Sequence, residues 1–232
     1  LYTGPISISA TTVIRAIACA PDQLCSAVAG ATYFINDSSP VPVVSLYTDN
    51  TYLFDDSTGV MVKGTGRTPN YMKNLQYPCQ LEYFDENGQL GICQMGTFKI
   101  AGKTMRTGKQ KSLAVYARKA YGSDTFGYPF FEDRDYDGYS AILLRYTNSD
   151  FKSTRLRDAA LQELAKGLGL YYQARKVIQV YLNGQYWGHY NLRERANRES
   201  LAQWEGITDP EIIDGVDILE ATGVLDEYVV YG

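Results

Sequence analysis

Histidine is nearly absent: His189 is the only one in 232 residues. That excludes multi-histidine zinc sites, and a serine or cysteine triad would have to rely on this one imidazole. A basic surplus is missing too. Twenty-two Lys and Arg stand against 26 Asp and Glu, a formal charge of −4, whereas a general nucleic-acid binder needs excess cations to displace counterions. No apolar run approaches the roughly 20 residues of a membrane-spanning helix. No segment has the pattern of a signal peptide, and the chain reads as a piece excised from a longer one. Phenylalanine is scarce beside tyrosine, 8 against 20, which suggests half-buried strand surfaces and an extracellular setting. What is present is ordinary for a globular chain: 45% apolar and 21% charged residues, enough to bury a core and too much for disorder.

Four cysteines fall in two pairs. Cys19 and Cys25 flank the turn signal Pro21-Asp22-Gln23; Cys79 and Cys93 flank Asp85-Glu86-Asn87-Gly88. If each turn centres midway, each pair faces across a hairpin, which predicts two disulfides and an oxidising compartment. The alternative is four buried thiols. Neither pair has the Cys-x-x-Cys spacing of a zinc site.

Along the chain, β-branched runs predict strands over 12–18 and 26–34, with a boundary at the polar stretch Asn36-Asp-Ser-Ser-Pro40. Further strands are predicted over 41–47, 59–63, 80–84, 89–92, 97–100, 112–117 and 141–144. A helix is predicted from Ser153 or Thr154 to Lys166, ended by Gly167 and Gly169, and a second over 195–204. Asn183-Gly184 between two aromatic and β-branched runs predicts a two-residue hairpin turn.

Three patterns carry chemistry. Gly102 to Ser112 places Lys103, Arg106, Lys109 and Lys111 among two glycines. Backbone amides freed by glycine, together with cations, suit a nucleotide triphosphate, or the segment is a solvated basic loop. It is not a Walker A loop, since five residues, not four, separate the glycines and Gln110 replaces the required hydroxyl residue. Asp133, Asp135 and Asp137, followed by Gly138, match the start of a calcium loop, but Leu144 occupies the place of the bidentate glutamate. An EF-hand is excluded, leaving a shallower Ca2+ site or an acidic exposed loop. Glu194, between Arg193 and Arg195, and Asp158, beside Arg157, read as functional carboxylates or as plain salt-bridged positions.

In order, these segments resemble the CotH-type kinases, a family named from a bacterial spore-coat protein. The matching pieces are Pro42-Val-Val-Ser-Leu-Tyr-Thr-Asp49, Gly102 through Arg106 to Lys111-Ser112-Leu113, Tyr128-Pro-Phe-Phe131, Leu143-Leu-Arg145 with Asp150, Leu156-Arg157-Asp158-Ala159, and Tyr181-Leu-Asn-Gly-Gln-Tyr-Trp-Gly-His-Tyr-Asn-Leu-Arg-Glu194. The last is the most specific. Before them, Leu1-Tyr-Thr-Gly-Pro5 and Thr12-Val-Ile-Arg-Ala16 resemble the end of a chitobiase C-terminal-like, fibronectin-III-associated module.

The resemblance implies an α+β chain. Residues 1–38 would complete a β-sandwich module, and 39–232 would form the mostly antiparallel N-lobe of an atypical protein-kinase-like fold. It implies ATP with Mg2+ or Mn2+, protein Ser/Thr hydroxyls as acceptors, and a bacterial extracellular or cell-surface location. Lys111 becomes the phosphate-binding lysine, assisted by Arg106 and Lys109. Asp158 or Glu163 becomes its acidic partner, and Glu194 marks the approach to the adenine. The base-like and metal-holding aspartates of the family lie in a C-terminal lobe, so no catalytic residue is expected within these 232, which would be inactive alone. The rival expectation is a non-catalytic surface or scaffold protein of a bacterial exoprotein assembly.

Overall fold

The computed structural model describes residues 2–147, 153–221 and 228–231. Strands β1 (Thr12–Ala16) and β2 (Ala29–Tyr33) pair as an antiparallel hairpin. The Cys19–Cys25 disulfide closes the turn between them, where Ser26 N–H donates to the Ala18 carbonyl at 2.7 Å.

Strand β3 (Val43–Tyr47) is buried on both faces. A short helix, α1 (Asn50–Phe54), follows, capped by the Asp49 carboxylate. Then come β4 (Gln76–Phe84), β5 (Leu90–Ile100), β6 (Leu113–Ala117), a small ribbon of β7 (Phe126–Gly127) and β8 (Gly138–Tyr139), and β9 (Ala141–Arg145). Helix α2 (Arg157–Ala165) leads to β10 (Arg175–Leu182) and β11 (Gln185–Glu194). Helices α3 (Arg198–Trp204) and α4 (Pro210–Asp214) and a ribbon of β12 (Ile218–Ala221) with β13 (Tyr228–Tyr231) complete the order.

The chain is thus mixed α+β and mostly strand, but its sheet is not an open lobe. Seven strands close into a barrel in the order β3-β4-β5-β6-β9-β11-β10. Every neighbouring pair is antiparallel except the closure, where β10 runs parallel to β3 with Gln179 opposite Val43 and Leu182 opposite Leu46. That contact joins residues about 136 positions apart, which no local turn signal announces.

Alternation along the strands sends one set of side chains inward. Val44 and Leu46, Leu81 and Tyr83, Phe98 and Ile100, Leu113 and Val115, Ile142 and Leu144, Ile178 and Val180, Tyr190 and Leu192 share one core. The β1–β2 hairpin covers the outer face of β3 and β4: Thr32 Oγ1 and Ser45 Oγ are 2.7 Å apart, and Thr32 N–H donates to both oxygens of Glu82, at 3.0 and 3.3 Å.

Glu82 is buried, and burial pushes its carboxyl above the usual range while the Thr32 bonds pull the other way. Its folded value therefore lies above its unfolded value, so stability falls as pH rises between the two. Glu82→Gln keeps an acceptor for Thr32. It is expected to leave stability at pH 7 unchanged or higher and to flatten its decline above about pH 4.5. Urea melts from pH 4 to 8 check this; an unchanged slope refutes it.

Several local expectations need correction. The predicted strand over 59–63 is a turn instead: Val60 and Met61 are buried and donate their N–H groups to Tyr52 and Leu53 of α1. The strands predicted over 89–92 and 97–100 are one continuous β5. The helix predicted from 153 begins at Arg157. The second helix begins at Arg198, where Asn197 and Ser200 form a reciprocal cap.

The second disulfide is also corrected. Cys79 and Cys93 are free. The β4–β5 turn centres nearer Asn87 than Glu86, so Cys79 pairs with Gly96 and Cys93 with Glu82. Cys79 points into the core; Cys93 lies on the outer wall, its sulfur 2.6 Å from Gln80 Nε2. Burial raises both thiols. Iodoacetamide on the native protein, read by mass spectrometry, is expected to label Cys93 alone, slowly, with Cys79 reacting only after unfolding and Cys19–Cys25 linked throughout. Labelling of native Cys79 refutes the register.

Candidate functional site

The basic segment between β5 and β6 folds over one end of the barrel. Lys111 lies just ahead of β6, and only 2% of it is exposed. Its ammonium donates to the carbonyls of Arg106 and Gly108, at 2.7 and 2.5 Å, and sits 4.4 Å from the centre of the Tyr71 ring. Burial lowers its pKa. Among the described residues no carboxylate pairs with it.

Around this lysine, Arg106 Nε donates to the Gly102 carbonyl and Lys109 is exposed. Met72, Gly102, Lys103 and Arg106 line a shallow cavity of about 320 Å3. Gln110, which the sequence marks only as a departure from the phosphate-loop pattern, donates to the Trp187 carbonyl. Trp187 precedes Gly188, whose φ of +137° suits only glycine, at the irregularity between Val180 and Tyr181 of the β10–β11 hairpin. The basic loop is thereby tied to the hairpin that carries the most specific motif. Tyr190 adds a hydroxyl bond to the Lys111 carbonyl at 3.2 Å.

Neither candidate acidic partner reaches Lys111. Asp158 lies on the outer wall, 3.3 Å from Arg145 Nε and in close contact with Arg193 Nη2. Glu163 pairs with Lys166, three residues on at the end of α2, at 2.9 Å.

Glu194 is fully buried at the opposite end of β11 from the turn. Arg134 holds its Oε2 through Nε at 3.1 Å and Nη2 at 2.6 Å, and the Tyr136 hydroxyl donates to Oε1. Arg134 also donates to the Tyr172 carbonyl at 2.7 Å and stacks between the Tyr172 and Trp204 rings. Burial works against the charged guanidinium, but the bonds to Glu194 outweigh it and hold the Arg134 pKa above its usual value. Burial and the bond to Glu194 raise Tyr136 as well. The sequence singled out Glu194 but gave no sign of Arg134 or Tyr136, which come from a loop some 60 residues earlier.

The acidic loop is not gathered around a single point. Asp133 binds Lys166 at 2.9 Å and accepts from the Tyr172 hydroxyl at 3.0 Å, while Asp135 and Asp137 are exposed. Among the described residues no three His, Cys, Asp or Glu side chains converge where they could hold a metal. Asp150 of the motif series lies outside the described residues.

A family model described as CotH kinase protein matches residues 98–220, from the end of β5 through the basic loop, α2 and the β10–β11 hairpin. The chain belongs to the CotH kinase protein family. The CotH match takes in Lys111, Arg134, Asp158 and Glu194 and more than half of the chain. Comparison with curated proteins yields no match. Among the described residues no helix is long and apolar enough to cross a membrane.

Proposed function

We propose that this chain is the nucleotide-facing part of a secreted CotH-type kinase, which transfers the γ-phosphate of ATP to Ser or Thr hydroxyls of protein substrates. The observation that carries the reading is Lys111. A buried lysine without a carboxylate partner, beneath a loop of three further cations, keeps positive charge available to a phosphate chain. The loop cations and the adjoining shallow cavity fit such a polyanion. The divalent metal does not fit here, because no described residues converge to hold one. No step is therefore assigned to metal-holding side chains of this chain, Asp133, Asp135 and Asp137 included. When bound, ATP supplies the phosphoryl group; Lys111, Arg106 and Lys109 bind and orient its charge.

The base and metal carboxylates that phosphoryl transfer requires would come from residues outside these 232. Secretion, a bacterial cell-surface setting and a chitobiase-like origin for residues 1–38 belong to the same proposal. The Cys19–Cys25 disulfide supports the oxidising compartment.

One observation favours the rival, a non-catalytic surface scaffold: the Lys111 ammonium is already satisfied by two carbonyls and the Tyr71 ring. Titration of the 232-residue chain with ATP and Mg2+, read by calorimetry, separates the two. The kinase reading expects weak binding, a Kd of about 0.1–10 mM or 3–6 kcal/mol, lost in Lys111→Met. It also expects no radiolabelled phosphate on any protein. Binding unaffected by Lys111→Met overturns the lysine's role, and label incorporated by the chain itself overturns its incompleteness.

A further inference from the structure

On the outer wall of the barrel three arginines meet. Arg175 of β10 is directly opposite Arg193 of β11, and Arg145 of β9 is opposite Asn191, two residues before Arg193. Among the described residues one carboxylate faces them, Asp158, in the first turn of α2, so three positive charges meet one negative there. Arg193 is only 1% exposed.

The donors are incompletely used. Arg175 Nε and Arg193 Nε are buried without a hydrogen-bond partner, whereas Arg145 Nε and Arg193 Nη2 both face Asp158 Oδ2. Helix α2 adds its positive end, since no side chain caps its first turn. Native interiors leave few buried donors unpaired, so the two on Arg175 and Arg193, which are opposite each other on β10 and β11, mark a missing acceptor. An anionic acceptor suits them, since Arg193 is almost fully buried and Arg145 and Arg175 beside it add positive charge. Planar forks converging from three strands match the several oxygens of a tetrahedral dianion better than one more carboxylate.

We propose that Arg145, Arg175 and Arg193 form a binding site for a phosphate monoester group, separate from Lys111. Strand alternation puts the two on opposite sides of the barrel wall: Lys111 shares the inward parity of Leu113 on β6, whereas Arg145 and Arg193 alternate with the core residues Leu144 and Leu192. The assignment stands on these arginines whether or not the chain binds ATP.

The test is titration of the 232-residue chain with inorganic phosphate at constant ionic strength, read by calorimetry and by thermal melting, with chloride as control. One phosphate is expected to bind per chain and to raise the melting midpoint. Arg145→Gln and Arg175→Gln, both partly exposed positions, are each expected to weaken binding at least tenfold without lowering the midpoint in phosphate-free buffer. Lys111→Met is expected to keep the response. Loss of the response in Lys111→Met overturns this site, and leaves the nucleotide reading standing. No saturable binding by tens of millimolar phosphate overturns the proposal. So does an equal drop in midpoint with and without phosphate in the arginine variants, because these side chains would then only support Asp158. Competition by O-phosphoserine identifies a protein-borne phosphate as the occupant; competition by ATP alone identifies a nucleotide, and either result supports the site.

Discussion

Arg134→Met is expected to cost the chain about 3–5 kcal/mol of stability, the usual penalty for breaking a buried ion pair from one side. Arg134 and Glu194 have side chains 2% and 0% exposed, and their contact is 2.6 Å. Methionine fills much of the same space between the Tyr172 and Trp204 rings but leaves Glu194 charged, dry and supported only by the Tyr136 hydroxyl and the distant Ala174 N–H, at 3.4 Å. Adding Glu194→Gln removes the stranded charge while keeping an acceptor for Tyr136. The double variant should therefore recover a large part of the loss, so the two substitutions will be strongly non-additive. Urea melts of the parent, both single variants and the double variant complete the cycle. A loss under about 1 kcal/mol for Arg134→Met, or simple additivity, would show that water reaches the pair.

Lys111→Met should have the largest functional effect. In a natural chain that includes these residues and carries out transfer, it is expected to lower the rate by about 10²–10³-fold, the scale of removing one preorganised charge-stabilising donor. Stability should change far less. The carbonyls of Arg106 and Gly108 lose a donor, a cost of about 1–3 kcal/mol, offset by the release of a buried ammonium that has no anion. The pH dependence supplies a further sign. Burial puts the folded lysine below its unfolded pKa, so the unfolded chain binds more protons in that interval and stability rises with pH through it. The methionine variant should lose this rise. Paired phosphate-transfer assays and melts from pH 8 to 10.5 decide the matter. Full transfer activity would remove Lys111 from the nucleotide reading and leave it as the clasp of the basic loop.

Both residues illustrate how far a local reading reaches. Lys111 was legible as a candidate, because a lysine behind glycines and cations is a pattern within ten residues. Its long-range surroundings were not: Tyr71 arrives from 40 residues earlier, and Trp187, which accepts from the neighbouring Gln110, from the distant β10–β11 hairpin. Glu194 was legible through its motif, whereas Arg134 and Tyr136 lie in a loop read for its aspartates. Asp158 was expected at Lys111, and the folded wall delivers it to Arg145 and Arg193 instead.

What the sequence determined by itself is short-range. Asn183 and Gly184 take positive φ, +49° and +78°, and build the hairpin turn their types favour. Cys19 reaches Cys25 across a six-residue separation. The order of motifs over 98–220 was likewise sufficient for the family. Only the tertiary structure decided the rest. The parallel β3–β10 contact turns an expected lobe into a barrel, and the β4–β5 turn sits far enough from its expected centre to part Cys79 from Cys93. The extra residue in the β10–β11 hairpin moves Arg175 from opposite Leu192 to opposite Arg193. Side-chain direction reverses at every strand residue, so a one-residue change in register moves a group from core to surface. Turn types and caps depend on neighbours in the chain, but register and closure depend on how the whole set of apolar faces is buried at once.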